Sequence, residues 1–101
     1  MRVSFRYEPE LLEHMAQKRL TTICVEVVTA NSDIDITELY VHLVKPGQAE
    51  EFIRRRKFRP VETEHGTVLL PPYHLEYDDV VTFGLKKTWI FRSIRFEGIR
   101  L

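Results

Sequence analysis

The stretch TTICVEVVT, residues Thr21 to Thr29, decides the fold class. Its β-branched residues are typical of strands, where branched side chains pack well on a pleated surface. Because alternate residues of a strand point to opposite faces, one face carries three aliphatic side chains, Ile23, Val25 and Val27. The other face carries Cys24, Glu26 and Val28, of which only Glu26 is charged. We therefore expect a strand that is covered over much of both faces.

A second strand is predicted from Ile36 to Val44. Its alternation places three aliphatic side chains on one face, Leu39, Val41 and Leu43. The other face is more polar and carries Glu38, Tyr40, His42 and Val44. Because a short polar link, residues 30–35, joins the two strands, we expect them to form an antiparallel pair.

A strand and a helix are predicted before this pair. Val3, Phe5 and Tyr7 alternate with polar residues, as in a strand with one solvated face. Pro9 suits the first position of a helix because that position leaves its amide group unpaired in any case. An apolar face continues from there, so the sequence predicts a helix over residues 9–19 that packs on the core.

A second helix and a hairpin are predicted after the pair. Residues 48–57 carry acidic side chains before basic ones, an order that suits the helix dipole. The hairpin is expected to turn at His65-Gly66, with arms at residues 61–64 and 67–70, because glycine adopts positive φ at little cost.

The last part of the chain is predicted to consist of strands. Pro71-Pro72 cannot continue a central strand and marks a corner. Strand character follows over residues 80–85 and again over residues 88–101, with a turn expected at Lys86-Lys87 between them. Gly98 indicates a bulge in the final strand.

These elements predict a β-rich α+β fold. About seven mostly antiparallel strands are expected in two packed layers or a partly open barrel, with the two short helices outside. A chain of 101 residues suffices for one hydrophobic core, so residues 1–101 are expected to form a single domain.

Composition and charge exclude several classes of protein. Fifteen basic and fifteen acidic residues give a net charge of zero, which provides no overall field for nucleic acid or an anionic membrane. The sequence has no apolar stretch long enough for a leader or a membrane-spanning helix, and it favours a cytoplasmic protein.

Four pieces of the chain resemble the HesB/IscA-like family of iron–sulfur biosynthesis proteins. They are similar to the family's opening strand and helix, its valine-rich strand, its corner with the next strand, and its closing strand. In that order the segments are Val3-Ser4-Phe5 with the helix at Pro9, Glu64-His65-Gly66-Thr67-Val68, Leu75-Glu76-Tyr77-Asp78-Asp79 with Val81-Thr82-Phe83, and Phe91-Arg92-Ser93-Ile94-Arg95-Phe96. The resemblance implies a small β-rich fold with an early helix.

The family's cluster cysteines have no counterpart in this chain. Its Gly-Cys-Ser-Gly turn would fall near Ala30 to Ser32, where no cysteine is present, and a terminal Cys-x-Cys is missing because the sequence stops at Leu101. The one cysteine, Cys24, lies within a strand. No functional residue is therefore carried over. The resemblance implies a shared fold without iron–sulfur chemistry, and no cofactor is expected.

Two histidines are the candidate metal ligands in the sequence. His65 and His74, with the carboxylates of Glu76 and Asp78, offer donors that a divalent transition metal accepts. Their spacing matches no recognised ligand motif, and a turn histidine with a corner histidine explains them more simply. The sequence favours no metal site, and it leaves the His65–Asp79 region open as a metal- or small-ligand-binding alternative.

A dense basic run is the candidate nucleic-acid site. It consists of Arg54, Arg55, Arg56, Lys57 and Arg59. Such a run can contact phosphates, but consecutive helical residues spread round the axis, and acidic neighbours offset part of the charge. RNA binding is kept as an alternative function.

Two other groups have structural explanations. Cys24 is predicted to be a small buried hydrophobe, because its neighbours in the strand supply no positive charge to activate a thiol. Asp78 and Asp79 are not expected to share a proton, because adjacent strand residues point to opposite faces.

An apolar strip in the C-terminal half is the candidate interaction surface. Trp89 and Phe91 are expected on one strand face beside four basic residues, Lys86, Lys87, Arg92 and Arg95. An uncovered strand edge with such a strip tends to find a partner. The leading hypothesis from the sequence is a non-catalytic accessory or interaction module that binds a protein partner or a second copy as a homodimer.

Overall fold

The structure, a computed structural model, describes residues 3–30 and 36–101. Over these ranges the predicted strand-rich α+β class, with seven strands and two helices, is confirmed. The strands are β1 (Ser4–Tyr7), β2 (Thr22–Ala30), β3 (Ile36–Val44), β4 (Arg59–Thr63), β5 (Gly66–Leu70), β6 (Glu76–Thr88) and β7 (Phe91–Arg100). The helices are α1 (Pro9–Lys18) and α2 (Pro46–Arg55). Residues 31–35 of the predicted link lie outside the described residues.

The strands form two mixed sheets, which do not close into a barrel within the described ranges. One sheet has the order β1-β6-β7 and the other β3-β2-β5-β4. The expected antiparallel pair of β2 and β3 is present, with Val25 opposite Val41. Three of the five pairings are antiparallel, in line with the predicted mostly antiparallel strands. The pairings of β1 with β6 and of β2 with β5 are parallel. Alternation of side chains predicts a strand without its direction, so these two pairings required the tertiary structure.

Much of strand β2 is covered on both faces, as predicted: residues 23–26 are buried, whereas Val28 is 37% exposed. Its first face joins a core that takes buried side chains from both sheets and from α1, among them Tyr7, Leu11, Met15, Ile23, Val25, Val41, Val68, Val81 and Phe83. Its second face joins a smaller cluster of Cys24, Val44, Phe58 and Leu69, against which Ala49 and Phe52 pack. Helix α2 therefore covers the part of the outer face of this sheet that surrounds Cys24, whereas Tyr40 on the same face is exposed.

Both helices begin at a proline. Helix α1 begins at Pro9 as predicted and ends before Arg19, whose φ of 56° is left-handed. Helix α2 begins at Pro46, two residues before the predicted start, and ends at Arg55. Pro46 occupies the first helical position, where a missing N–H group removes no hydrogen bond. Lys57 has a φ of 60° and lies beyond the helix.

The two hairpins differ in how well their turns were predicted. The β4–β5 turn lies at Glu64-His65, one residue before the predicted position, and Gly66 is the first residue of β5. Its φ is positive as expected, at 149°. The predicted turn at Lys86-Lys87 is wrong, because these residues pair with Ser93 and Arg92 within the β6–β7 ladder. Two consecutive charges indicated a turn, but they are exposed positions in a hairpin arm that continues to Thr88.

The predicted irregularity at Gly98 is present in the β6–β7 ladder. Tyr77 pairs with Ile99 and Thr82 with Glu97, so residues 78–81 of β6 lie opposite Gly98 alone. The extra residues are thus in β6 and not, as predicted, in the final strand. Gly98 has a φ of 94°, and a Cβ there would lie 2.7 Å from the carbonyl oxygen of Val80. A glycine is required at this close approach of the two strands.

We expect Gly66→Ala to lower the free energy of unfolding by about 2 kcal/mol or more. Its positive φ disfavours a side chain, and an added Cβ would lie 2.0 Å from the carbonyl oxygen of Thr21. The control is Gly47→Ala in the first turn of α2, where a Cβ meets nothing within 4 Å. Because alanine is the better helix former, this variant is expected to gain up to about 1 kcal/mol. Urea denaturation measures both; equal effects would contradict the assignment.

Candidate functional site

Three side chains that can bind a metal or transfer a proton lie together on the outer face of the β2–β3 pair. Cys24 and Glu26 are two residues apart in β2 and therefore share a face. His42 of β3 is the direct partner of Cys24 across the ladder, which places their side chains on the same face at neighbouring positions. The backbone register alone thus brings a thiol, a carboxylate and an imidazole together.

The three groups are close enough to interact. The sulfur of Cys24, a carboxylate oxygen of Glu26 and a ring nitrogen of His42 all lie within 4.8 Å of one another. Nε2 of His42 makes a short hydrogen bond with Oε2 of Glu26. The second oxygen, Oε1, accepts a hydrogen bond of 2.9 Å from Nη1 of Arg56. Both oxygens of this carboxylate, in a residue only 9% exposed, have partners.

Aromatic rings hold these polar groups in place. The guanidinium carbon of Arg56 lies 4.6 Å from the ring centre of Phe52 and 5.3 Å from that of Phe58. Tyr40 stacks on the imidazole of His42, with 4.4 Å between ring centres and planes 12° apart. Cation–π contact and stacking limit the motion of both side chains. The result is a polar cluster under α2 with restricted geometry.

The thiol of Cys24 is unreactive as a nucleophile in this environment. Burial, reinforced by the negative charge of Glu26, raises the pKa of Cys24 to about 12, against a smaller lowering influence of Arg56. The thiol is therefore protonated at neutral pH and is a poor nucleophile. The predicted burial of Cys24 is confirmed. The strand neighbours supply no cation, as noted from the sequence, but α2 brings Arg56 to the same site.

An open cleft adjoins the cluster at the edge of β3. Its volume is about 320 Å³, and Tyr40 and His42 line it together with His14, Lys18 and Arg92. Partial burial, together with the positive charges of Lys18 and Arg92, lowers the pKa of His14. His42 thus belongs both to the polar cluster and to a solvent-accessible cleft.

The metal candidates predicted from the sequence lie elsewhere. His65 is in the β4–β5 turn, where its ring contacts the ring of Tyr7 edge-on at 5.3 Å between centres. His74 lies in the corner before β6 and lines a separate surface pocket. Asp78 accepts a 2.8 Å hydrogen bond from Arg100, which also approaches Glu76 at 3.7 Å. Among the described residues, the structure gathers none of these four into a group of three metal-ligating side chains.

The basic run is divided among several contacts. Arg54 and Arg55 form ion pairs with Glu50 at 3.7 Å and Glu51 at 3.6 Å, and Arg56 binds Glu26. Two further members, Lys57 and Arg59, lie after the helix, in the connection and in β4. The run therefore forms no single cationic face on α2.

The predicted interaction residues are at the tip of the β6–β7 hairpin. Trp89 and Ile90 form its two-residue turn, and Phe91 pairs with Thr88 at the first rung of the ladder. The prediction that Trp89 shares a strand face with Phe91 is therefore wrong, because Trp89 lies in the turn itself. Both residues are exposed.

Glu26 and His42 were not among the candidate site residues predicted from the sequence. The alternation placed each of them on a named strand face, and the pairing of the strands was also predicted. The sequence did not predict the register of this pair, which places Cys24 opposite His42. Arg56 lies thirty positions beyond Glu26. Their contact depends on the packing of α2, so no local sequence pattern predicts it.

Comparisons of this chain with protein-family models, with curated proteins and with solved structures gave no match. The likeness to the HesB/IscA-like family stays a prediction from the sequence. Neither helix of the described chain has the length and apolar character needed to cross a membrane.

We expect Cys24→Ser to change how stability depends on pH. In the wild type the buried thiol stays protonated until about pH 12, whereas the thiol of the unfolded chain ionises at about pH 8.5. Ionisation then favours the unfolded chain, so wild-type stability should fall relative to Cys24→Ser between these values, by at most about 1.4 kcal/mol per pH unit. Urea titrations from pH 7 to pH 10 measure the difference. Parallel pH profiles would contradict the assigned pKa.

The ion pair under α2 should matter more than those on its surface. Arg56→Met keeps an apolar stem against the aromatic rings but leaves Oε1 of buried Glu26 without its donor. We expect a loss of about 1–3 kcal/mol in the free energy of unfolding. The control Arg54→Met removes only an exposed pair with Glu50 and should cost less than about 0.5 kcal/mol. Equal losses in urea denaturation would show that Glu26 does not depend on Arg56.

Proposed function

We propose that the protein is a non-catalytic binding module that docks the tip of its β6–β7 hairpin into an apolar pocket on an acidic partner protein. The observation that carries this proposal is the exposure of three consecutive large apolar residues. Trp89, Ile90 and Phe91 are 92%, 76% and 67% exposed. A contiguous apolar patch of this kind on a small domain is typical of a contact surface.

The backbone at the tip supports a functional reason for the tryptophan. Trp89 has a φ of 53°, a left-handed conformation that two-residue hairpin turns usually assign to Gly, Asn or Asp. A bulky side chain at this position costs stability and contributes no core packing. Strained residues of this kind cluster at binding sites, and tryptophan is the residue most enriched among those that dominate binding energies.

The charge around the tip indicates the chemistry of the partner. Lys86, Lys87 and Arg92 are exposed beside the aromatic residues, and Arg92 donates to the carbonyl oxygens of Trp89 and Phe91. The fourth predicted base, Arg95, forms ion pairs with Glu8 and Glu97. A complementary surface therefore combines an apolar pocket with an acidic rim.

The same charges favour a different protein over a second copy of this chain. In a symmetric dimer formed through the tip, the three basic residues of one copy would face the same residues of the other. Like charges in an interface oppose association. Self-association through the hairpin is therefore the weaker alternative, and the test below distinguishes it.

The experiment compares Trp89→Gly with the wild-type chain. A photocrosslinking residue at position 90 identifies the bound protein in a native extract, and calorimetry with that purified protein then measures affinity. Removal of a central tryptophan is expected to weaken binding at least about 30-fold. Because glycine relieves the left-handed strain, the free energy of unfolding should stay the same or rise by up to about 1 kcal/mol.

The control is Tyr73→Ala, a change at another exposed aromatic residue, 60% exposed, outside the hairpin. It should leave the affinity unchanged. Binding to the captured protein should also weaken with added salt, because the rim is charged. Crosslinking only between copies of this chain, or equal affinity of the Trp89→Gly variant, would refute the proposal.

A further inference from the structure

We propose that Cys24, Glu26 and His42 bind one divalent metal ion of the zinc class. The ligands would be the sulfur of Cys24, Oε2 of Glu26 and Nε2 of His42. This set combines a thiolate, a carboxylate and an imidazole, the three ligand types that proteins use for zinc. The site lies on the outer face of the β2–β3 pair, so the inference does not rest on binding by the β6–β7 hairpin.

The positions of the three donor atoms fit such a site. They lie within 4.8 Å of one another, whereas ligand atoms around a tetrahedral zinc ion are separated by about 3.3–3.8 Å. Nε2 of His42 and Oε2 of Glu26 are already in contact, and an ion between them would replace their hydrogen bond. The neutral imidazole then carries its proton on Nδ1, because it ligates a metal through its unprotonated nitrogen. Small side-chain rotations on an unchanged backbone are therefore sufficient.

The charges at the site can be balanced when the ion binds. The metal displaces the thiol proton of Cys24, which passes to solvent, because only the thiolate ligates. The thiolate and the carboxylate together neutralise a divalent ion. Arg56 occupies Oε1 and leaves Oε2 for the metal, and such a contact to the free oxygen orients a ligating carboxylate.

The surroundings leave one side of the site accessible. Cys24 is fully buried beside Phe58, with Phe52 packed against the same cluster, which keeps water from the sulfur. His42 lines the cleft at the edge of β3, so an ion and a fourth ligand have a route from solvent. Three protein ligands with a fourth position open to water or a small anion are typical of zinc sites that bind exchangeable ligands.

The test uses the full chain after treatment with a chelator. Calorimetry with Zn²⁺ is expected to show one ion bound per chain, and Co²⁺ should produce the absorption of a thiolate-to-cobalt charge transfer. X-ray absorption of the zinc-loaded wild type should show one sulfur at about 2.3 Å with nitrogen and oxygen neighbours at about 2.0–2.2 Å. This last measurement needs no variant and so does not depend on how well a variant folds.

Variants then assign the ligands. Cys24→Ser and His42→Gln should each weaken zinc binding at least about 100-fold, since each removes a direct ligand. The matched controls are His65→Gln and His74→Gln, which should leave the affinity unchanged. Absence of zinc binding, a shell of nitrogen and oxygen only, or a loss of affinity confined to the two controls would each overturn the proposal.

Discussion

Strand β2 must be covered on both faces, and the positions of the other elements follow from this requirement. Its inner face, with Ile23 and Val25, joins the core shared by the two sheets and α1. Its outer face, with Cys24, is covered by Phe52 of α2 and by Phe58, which lies in the connection after that helix. At Ile23 and Cys24 the strand is paired on both edges, by β3 and β5, and is buried on both faces. Changes in β2 therefore affect every layer of the fold.

The carboxylate of Glu26 is a charged group on the covered outer face of β2. A buried carboxylate is tolerated only with hydrogen-bonding partners, and here they come from the next strand, His42, and from the end of α2, Arg56. Arg56 in turn rests on aromatic rings. The packing of α2 on the sheet therefore also places the cation that binds the Glu26 carboxylate. Apolar residues in place of such a buried pair often give equal or greater stability, so stability alone does not explain why this polar cluster is present.

The sequence was informative where a structural cause is local. Pro9 predicts the start of α1, Gly66 the hairpin and Gly98 the irregularity, because each depends on its own backbone. The turn predicted at Lys86-Lys87 was wrong because pairing with β7 continues the strand beyond Lys87. The parallel pairing of β1 with β6 and the contact of Arg56 with Glu26 depend on distant parts of the chain, and the sequence predicted neither. The alternation rule placed Glu26 and His42 on the correct faces, yet neither was singled out. A site formed across two strands and a helix has no linear motif.

The parallel pairing of β1 with β6 has a consequence for the order in which the molecule forms. The hairpins β4–β5 and β6–β7 join neighbours in sequence, and loop closure for such pairs is fast. Ser4, however, pairs with Val80, so this ladder closes a loop that contains most of the chain, at a correspondingly high entropic cost. During synthesis, β1 and the apolar face of α1 therefore cannot pack against β6 until β6 has left the ribosome. The early part of the chain exposes its core surface for longest, and chaperones would meet it first.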